Sequence, residues 1–182
     1  MKHFKLLKQK KLFSTPWLQV SANDYLLPNG KKLEDFYVVT EKSGVTTVAL
    51  TPEKKILIVE QYRPAVDDVT ICLPGGLLDD REKKPLQQAQ EELLEETGYE
   101  SDQWIELGEF YPAPHRMSTV QKCYLALDVK KVAAQDLDAT EFVQYKSVTM
   151  AELDDLIRQG KFNCGYCMTT YLKAKLYLEQ YK

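Results

Sequence analysis

The chain has 182 residues, 44% apolar and 28% charged, which suits one globular domain with at most a small appendage and excludes a disordered chain. Lys plus Arg number 24 against 27 Asp plus Glu, a formal charge of −3, so the overall balance favours neither nucleic acid nor an anionic membrane as partner. The longest apolar runs are a few residues, too short for a membrane-spanning helix or a secretory leader, and a cytoplasmic protein is expected.

Residues 1–13 read as a lysine-rich lead-in. Residues 14–72 then carry strand signals. Trp17 to Val20 is a short candidate strand, and Leu26-Leu27 leads to Pro28-Asn29-Gly30, where Asn-Gly supplies the positive φ of a turn. Leu33 to Thr40, Val45 to Leu50 and Ile56 to Tyr62 are rich in β-branched and aromatic residues, with a turn over Thr51 to Lys55. Leu73-Pro74-Gly75-Gly76 breaks the pattern. Pro85 to Thr97 is the clearest helix, since Pro85 suits the first turn and Gly98 the position just past the end. Trp104 to Tyr111, Gln121 to Val129 and Phe142 to Val148 follow as strands. Met150 to Gln159 is a short helix ended by Gly160, and Met168 to Tyr181 a C-terminal one. This order predicts an α+β fold. A boundary near residues 43–46 would separate an N-terminal β-rich unit, residues 1–45, too small to be stable without packing on something.

The four cysteines are Cys72, Cys123, Cys164 and Cys167, and free thiols are expected. Cys164-x-x-Cys167 has the spacing of half a zinc site or of a redox pair. No second such pair exists, and the histidines are only His3 and His115, which argues against zinc.

On a helix over Pro85 to Thr97, Leu86, Ala89, Leu93 and Leu94 share one broad face, the expected core side. Glu92, Glu95 and Glu96 fall on the other at i, i+3 and i+4, with Glu91 beside Glu95. Neighbouring exposed carboxylates repel at roughly 0.2–0.5 kcal/mol per pair, and the helix C-terminus disfavours the last two. No basic residue within the helix offsets them. A hard divalent cation turns that penalty into a site, because carboxylate oxygens are its preferred ligands. A solvated acidic face is the plain alternative. The Gly75-Gly76 turn ahead of the helix favours the cation, since glycines let backbone approach a ligand closely.

At these residues the sequence resembles the Nudix hydrolase family, whose box reads G-x5-E-x7-R-E-U-x-E-E-x-G-U. Gly76 fits the first glycine, Glu82 the first glutamate, and Glu92 to Tyr99 the tail. Eight residues, Lys83 to Gln90, stand where seven are expected, and Glu91 occupies the arginine position. Glu60-Gln61-Tyr62-Arg63-Pro64 and Glu109 to Pro114 resemble segments of the ADP-ribose pyrophosphatase branch, and Asp136, Asp138 and Glu141 resemble its acidic loop. After Pro114 the branch continues with Gly, whereas His115 and Arg116 follow here.

The resemblance implies a Nudix fold, a mixed sheet sandwiched between helices, over residues 46–182, with the small antiparallel N-terminal unit building a homodimer. It implies Mg²⁺, with Mn²⁺ as alternative, held by Glu92, Glu95, Glu96 and the Gly75 carbonyl. Glu141 is the implied catalytic base, with Glu95 or Glu96 in reserve. Arg63, Tyr62, Arg116, Pro114 and Gly76 are the implied substrate contacts. Plain alternatives stand beside these: a strand-end ion pair for Arg63, a core or interface role for Tyr62, a solvated loop for Arg116 and loop shaping for Pro114. The implied reaction is hydrolysis of a nucleoside diphosphate sugar, ADP-ribose giving AMP and ribose 5-phosphate. A different diphosphate (a dinucleotide, coenzyme A or a dinucleoside polyphosphate) and a nucleotide-binding regulator without turnover are the alternatives; Glu91 keeps the last open.

Overall fold

The structure, a computed structural model, describes residues 3–78 and 84–180. Glu82, with Arg81 and Lys83, lies outside the described residues. The chain forms two compact units, one of residues up to Ser43 with Tyr111–Val120, the other of Gly44–Phe110 with Gln121 onward.

In the first unit, β1 (Lys5–Ser14), β2 (Leu18–Leu26) and β3 (Lys32–Glu41) form an antiparallel sheet in that order. Gly30, at φ +80°, closes the turn between β2 and β3 by donating its N–H to the Leu27 carbonyl at 3.0 Å. The 111–120 segment is bound to β3, where the Val39 N–H donates to the Arg116 carbonyl at 2.9 Å. The lysine-rich lead-in is therefore a strand. All of β1 is exposed, with Lys5, Lys8, Lys10 and Lys11 among its residues. Such charge hides strand character in a sequence and discourages further pairing at an open edge.

The second unit is built on a mixed sheet of order β11-β5-β4-β9-β8, with β6 also paired to β5. Its strands are β4 (Gly44–Leu50), β5 (Lys55–Arg63), β6 (Asp68–Cys72), β8 (Gln103–Phe110), β9 (Gln121–Leu127) and β11 (Val143–Thr149). Two short strands, β7 (Tyr99–Glu100) and β10 (Lys130–Lys131), pair separately. The β4–β9 pair is parallel, and β4 is buried along its whole length, as a central strand covered on both faces must be. The helices are α1 (Pro85–Thr97), α2 (Met150–Arg158) and α3 (Gly165–Gln180). Alternation along the strands sends side chains both ways. Val48, Ile56 and Ile58 pack with Leu153, Phe162 and Tyr171 of the α2–α3 side, while Ala49, Leu57 and Ala126 pack with Leu93 of α1. The fold is thus α+β, a mixed sheet between helices, with a three-stranded antiparallel N-terminal sheet. No described helix is long and apolar enough to cross a membrane.

Helix α1 starts and ends where the sequence places it, with Gly98 closing it in the left-handed region. Its buried face differs from the expected one. Gln88, Ala89, Leu93, Glu96 and Thr97 are buried, whereas Leu86 and Leu94 are about a third exposed, at 36% and 37%. The helix is rotated so that the Glu96 face meets the sheet, because the glycine turn offers that carboxyl a backbone donor. Leu93→Ala is accordingly expected to cost about 2–5 kcal/mol and Leu94→Ala under about 1 kcal/mol, read by denaturant unfolding. Equal losses at both positions would contradict this orientation.

Candidate functional site

The turn after β6 is seated on the central strand. The Thr47 and Val45 N–H groups of β4 donate to the Pro74 and Gly76 carbonyls, each at 2.9 Å. Gly75 takes φ +153° between them, and its N–H donates to Glu96 Oε2 at 2.9 Å. Gly76 lies directly against Glu92; a Cβ there would stand 2.8 Å from Oε2 and closer still to Oε1. Two missing side chains thus let backbone touch two carboxylates of α1. Gln88, one turn before Glu92, donates from Nε2 to its Oε1 at 2.9 Å.

Glu96 is 6% exposed. Burial, the largest cause, pushes its carboxyl up to about 8; the charges of Glu92 and Glu141 push the same way, while the Gly75 N–H and Arg63 oppose them. One buried carboxyl therefore feels the end of β5, the loop before β11 and its own helix. That loop is tied down from two sides. Gln135 Nε2 donates to the Glu96 carbonyl at 2.6 Å and the Val143 carbonyl at 3.1 Å, and the Asp136 N–H donates to the Glu95 carbonyl at 3.0 Å. The Glu141 N–H donates to the Asp138 carbonyl at 2.8 Å, and the Asp138 N–H returns a bond to Glu141 Oε2 at 3.3 Å. Lys131 of β10 supplies the cation α1 lacks, its Nζ donating to the Thr97 carbonyl at 2.6 Å at the helix C-terminus.

The raised Glu96 value carries a pH consequence. Between the ordinary carboxyl value of 4.5 and about 8, the folded protein holds a proton that the unfolded chain has lost. The contribution of Glu96 to stability is therefore full below the unfolded value and falls as pH rises through this window. In metal-free protein, wild type should lose stability relative to Glu96→Gln by up to about 1.4 kcal/mol per pH unit there. Parallel pH profiles for the two proteins would show that Glu96 ionises normally.

Glu96, its proton held first by burial and then by the charges of Glu92 and Glu141, becomes on ionisation a carboxylate beside Glu92 and a tight glycine turn, the donor chemistry a hard divalent cation requires. The carboxylates are more widely spaced than Cys72, Cys164 and Cys167, whose sulfurs form the one set of three potential ligand atoms within 4.8 Å of one another among the described residues. The Glu95 side chain is exposed, next to Glu96. Tyr62 directs its hydroxyl to Asp67 at 2.6 Å and leaves its ring half exposed. Pro114 and Arg116 belong to the first unit, where the Arg116 guanidinium lies over Phe36 at 5.5 Å.

Gln88, Gln135 and Lys131 escape the sequence reading. Gln88 carries a signal, the i, i+4 spacing to Glu92. The other two act across long sequence separations and carry none.

The family model described as "NUDIX domain" matches residues 40–164. The methanol dehydrogenase activator of Bacillus methanolicus is 33% identical over 158 residues, covering 86% of this chain and 84% of that protein. The ADP-ribose pyrophosphatase of Bacillus subtilis (strain 168) is 29% identical over 154 residues, covering 84% and 82%. A crystal structure of an ADP compounds hydrolase superposes with a TM-score of 0.84 over 99% of this chain and 96% of that one, at 17% identity, a likeness of fold.

Proposed function

Because this chain belongs to the Nudix family, we propose that it cleaves the pyrophosphate bond of a nucleoside diphosphate linked to another moiety, with ADP-ribose yielding AMP and ribose 5-phosphate. The observation that carries this reading is the buried Glu96 carboxyl, hydrogen-bonded to the Gly75 N–H under the charges of Glu92 and Glu141.

Glu92, Glu95, Glu96 and the Gly75 carbonyl would hold Mg²⁺, with Mn²⁺ able to take its place. Bound there, the ion would supply charge neutralisation to the clustered phosphates and would acidify the attacking water. Glu141 accepts a proton from that water as its oxygen bonds to one phosphorus. The bridging P–O bond breaks, and the second phosphate leaves as a monoester. Arg63 binds a phosphate bidentately. Gly76 gives the substrate room, and Tyr62 contacts its nucleoside or sugar. The N-terminal unit, residues 1–45, joins two copies in a cytoplasmic homodimer; light scattering that finds only the single-chain mass would remove that part.

The substrate is tested by offering ADP-ribose, a dinucleotide, coenzyme A and a dinucleoside polyphosphate at equal concentration with Mg²⁺. Fastest release of AMP from ADP-ribose is expected, and faster cleavage of another diphosphate would reassign the substrate. A second reading, a nucleotide-binding regulator, is favoured by Glu91 at the box arginine and by the relative named as an activator. It predicts nucleotide binding with no turnover across the same panel.

A further inference from the structure

Cys72 ends β6, Cys164 immediately precedes α3, and Cys167 lies in its first turn. The elements that carry them are far apart in sequence, yet the three Sγ atoms lie within 4.8 Å of one another. Cys72 and Cys167 are buried, at 7% and 4% exposure, while Cys164 is partly open. Three thiols packed only as small apolar groups would need no polar neighbours. Here the backbone supplies them. The Leu73 N–H donates to Cys167 Sγ at 3.2 Å, and the N–H groups of Tyr166 and Cys167 donate to the Cys164 sulfur. The Thr70 hydroxyl stands 3.7 Å from Cys72 Sγ.

In the sequence, Cys164 and Cys167 have no second pair, which argues against zinc. The fold brings Cys72 to them, which meets that objection with a third ligand. At a metal–sulfur distance of about 2.3 Å, tetrahedral geometry places sulfurs roughly 3.8 Å apart, so a cluster already within 4.8 Å needs a contraction of about 1 Å at most.

We propose that Cys72, Cys164 and Cys167 form a three-thiolate site for a soft cation of the zinc type. The partial exposure of Cys164 gives the ion its entry path and leaves a fourth position for an external ligand. The site is distinct in chemistry from the glutamates, since thiolates select soft ions and carboxylates hard ones. It also has a structural consequence. Cys72 stands three residues before Gly75, so a bound ion fixes the strand end that presents the Gly75 N–H to Glu96.

The test uses the reduced full chain in excess Mg²⁺, which occupies carboxylate sites, with Co²⁺ as the optical probe. The expected result is a thiolate-to-cobalt charge-transfer band that saturates at one equivalent and is abolished by Zn²⁺. Zn²⁺ should also protect three of the four thiols from alkylation. Cys164→Ser should weaken binding roughly 100-fold or more. Cys123→Ser should leave it unchanged, because Cys123 sits elsewhere in the core, accepting a bond from the Thr170 hydroxyl at 3.3 Å. No charge-transfer band in wild type, or a band unaltered in Cys164→Ser, would overturn the proposal. So would a protein that forms a Cys164–Cys167 disulfide in air and, once reduced, takes up neither ion. Should Cys164→Ser fail to fold, the wild-type band and the alkylation pattern still decide.

Discussion

Glu96→Gln is expected to lower metal-dependent turnover of ADP-ribose by about 100-fold or more while leaving the fold intact. The amide keeps the size of the carboxyl and an oxygen to accept the Gly75 N–H, now at 2.9 Å from Oε2. Near pH 7 the metal-free wild type already holds Glu96 largely protonated, since burial has raised it to about 8. Replacing a protonated acid by an amide in the same site should therefore change stability by less than about 1 kcal/mol at that pH. What the amide cannot do is lose a proton and become an anionic ligand. The same argument makes metal affinity rise with pH up to about 8 in the wild type, with a proton released on binding. Glu95→Gln provides the contrast. It removes an exposed carboxylate, so it should weaken turnover. Full activity in Glu96→Gln, or a large loss of stability at pH 7, would contradict this assignment.

Gly75→Ala should be the most destabilising single-methyl change at the site, at about 2–5 kcal/mol, and should abolish turnover in whatever fraction remains folded. The new Cβ would run into the Val45 carbonyl oxygen and stand 2.9 Å from Thr46 Cα. Both are backbone atoms of β4, which is buried along its whole length and cannot move aside cheaply. At φ +153° the residue also occupies backbone space that L side chains avoid. Gly30→Ala is the control. It sits at φ +80° with nothing within 4 Å of its Cβ, so it carries the backbone cost, on the order of 1 kcal/mol, without the collision. Denaturant midpoints for the two variants separate these contributions, and equal shifts would show that the contact with β4 is not tight.

The strands with branched and aromatic alternation were legible because each faces a packed layer. Val45 to Leu50 and Ile56 to Tyr62 lie within β4 and β5. The glutamate helix was legible at both ends because Pro85 and Gly98 are local signals that tertiary structure did not override. Its rotation was not legible. Hydrophobicity alone turns Leu86 and Leu94 inward, but the hydrogen bond from Gly75 draws Glu96 in and leaves those leucines partly exposed. β1 was missed because lysine on an open edge imitates a solvated tail. The first turn of α3, Gly165 to Cys167, was missed because glycine and cysteine carry weak helix propensity, and with it went the approach of Cys164 and Cys167 to Cys72. Lys131 at the end of α1 belongs to the same class, a contact made only once the chain has folded.

We propose that the glutamates of α1 and the glycine turn form a metal-dependent pyrophosphatase site. The most direct measurement incubates purified protein with ADP-ribose and follows AMP, with Mg²⁺ or Mn²⁺ and with chelator, for wild type and Glu96→Gln side by side. AMP that appears only with metal and only in wild type is the predicted result, and it would show that turnover proceeds with Glu91 in place of the box arginine. AMP formed equally by both proteins, or no AMP with either metal while nucleotide still binds, would contradict the claim.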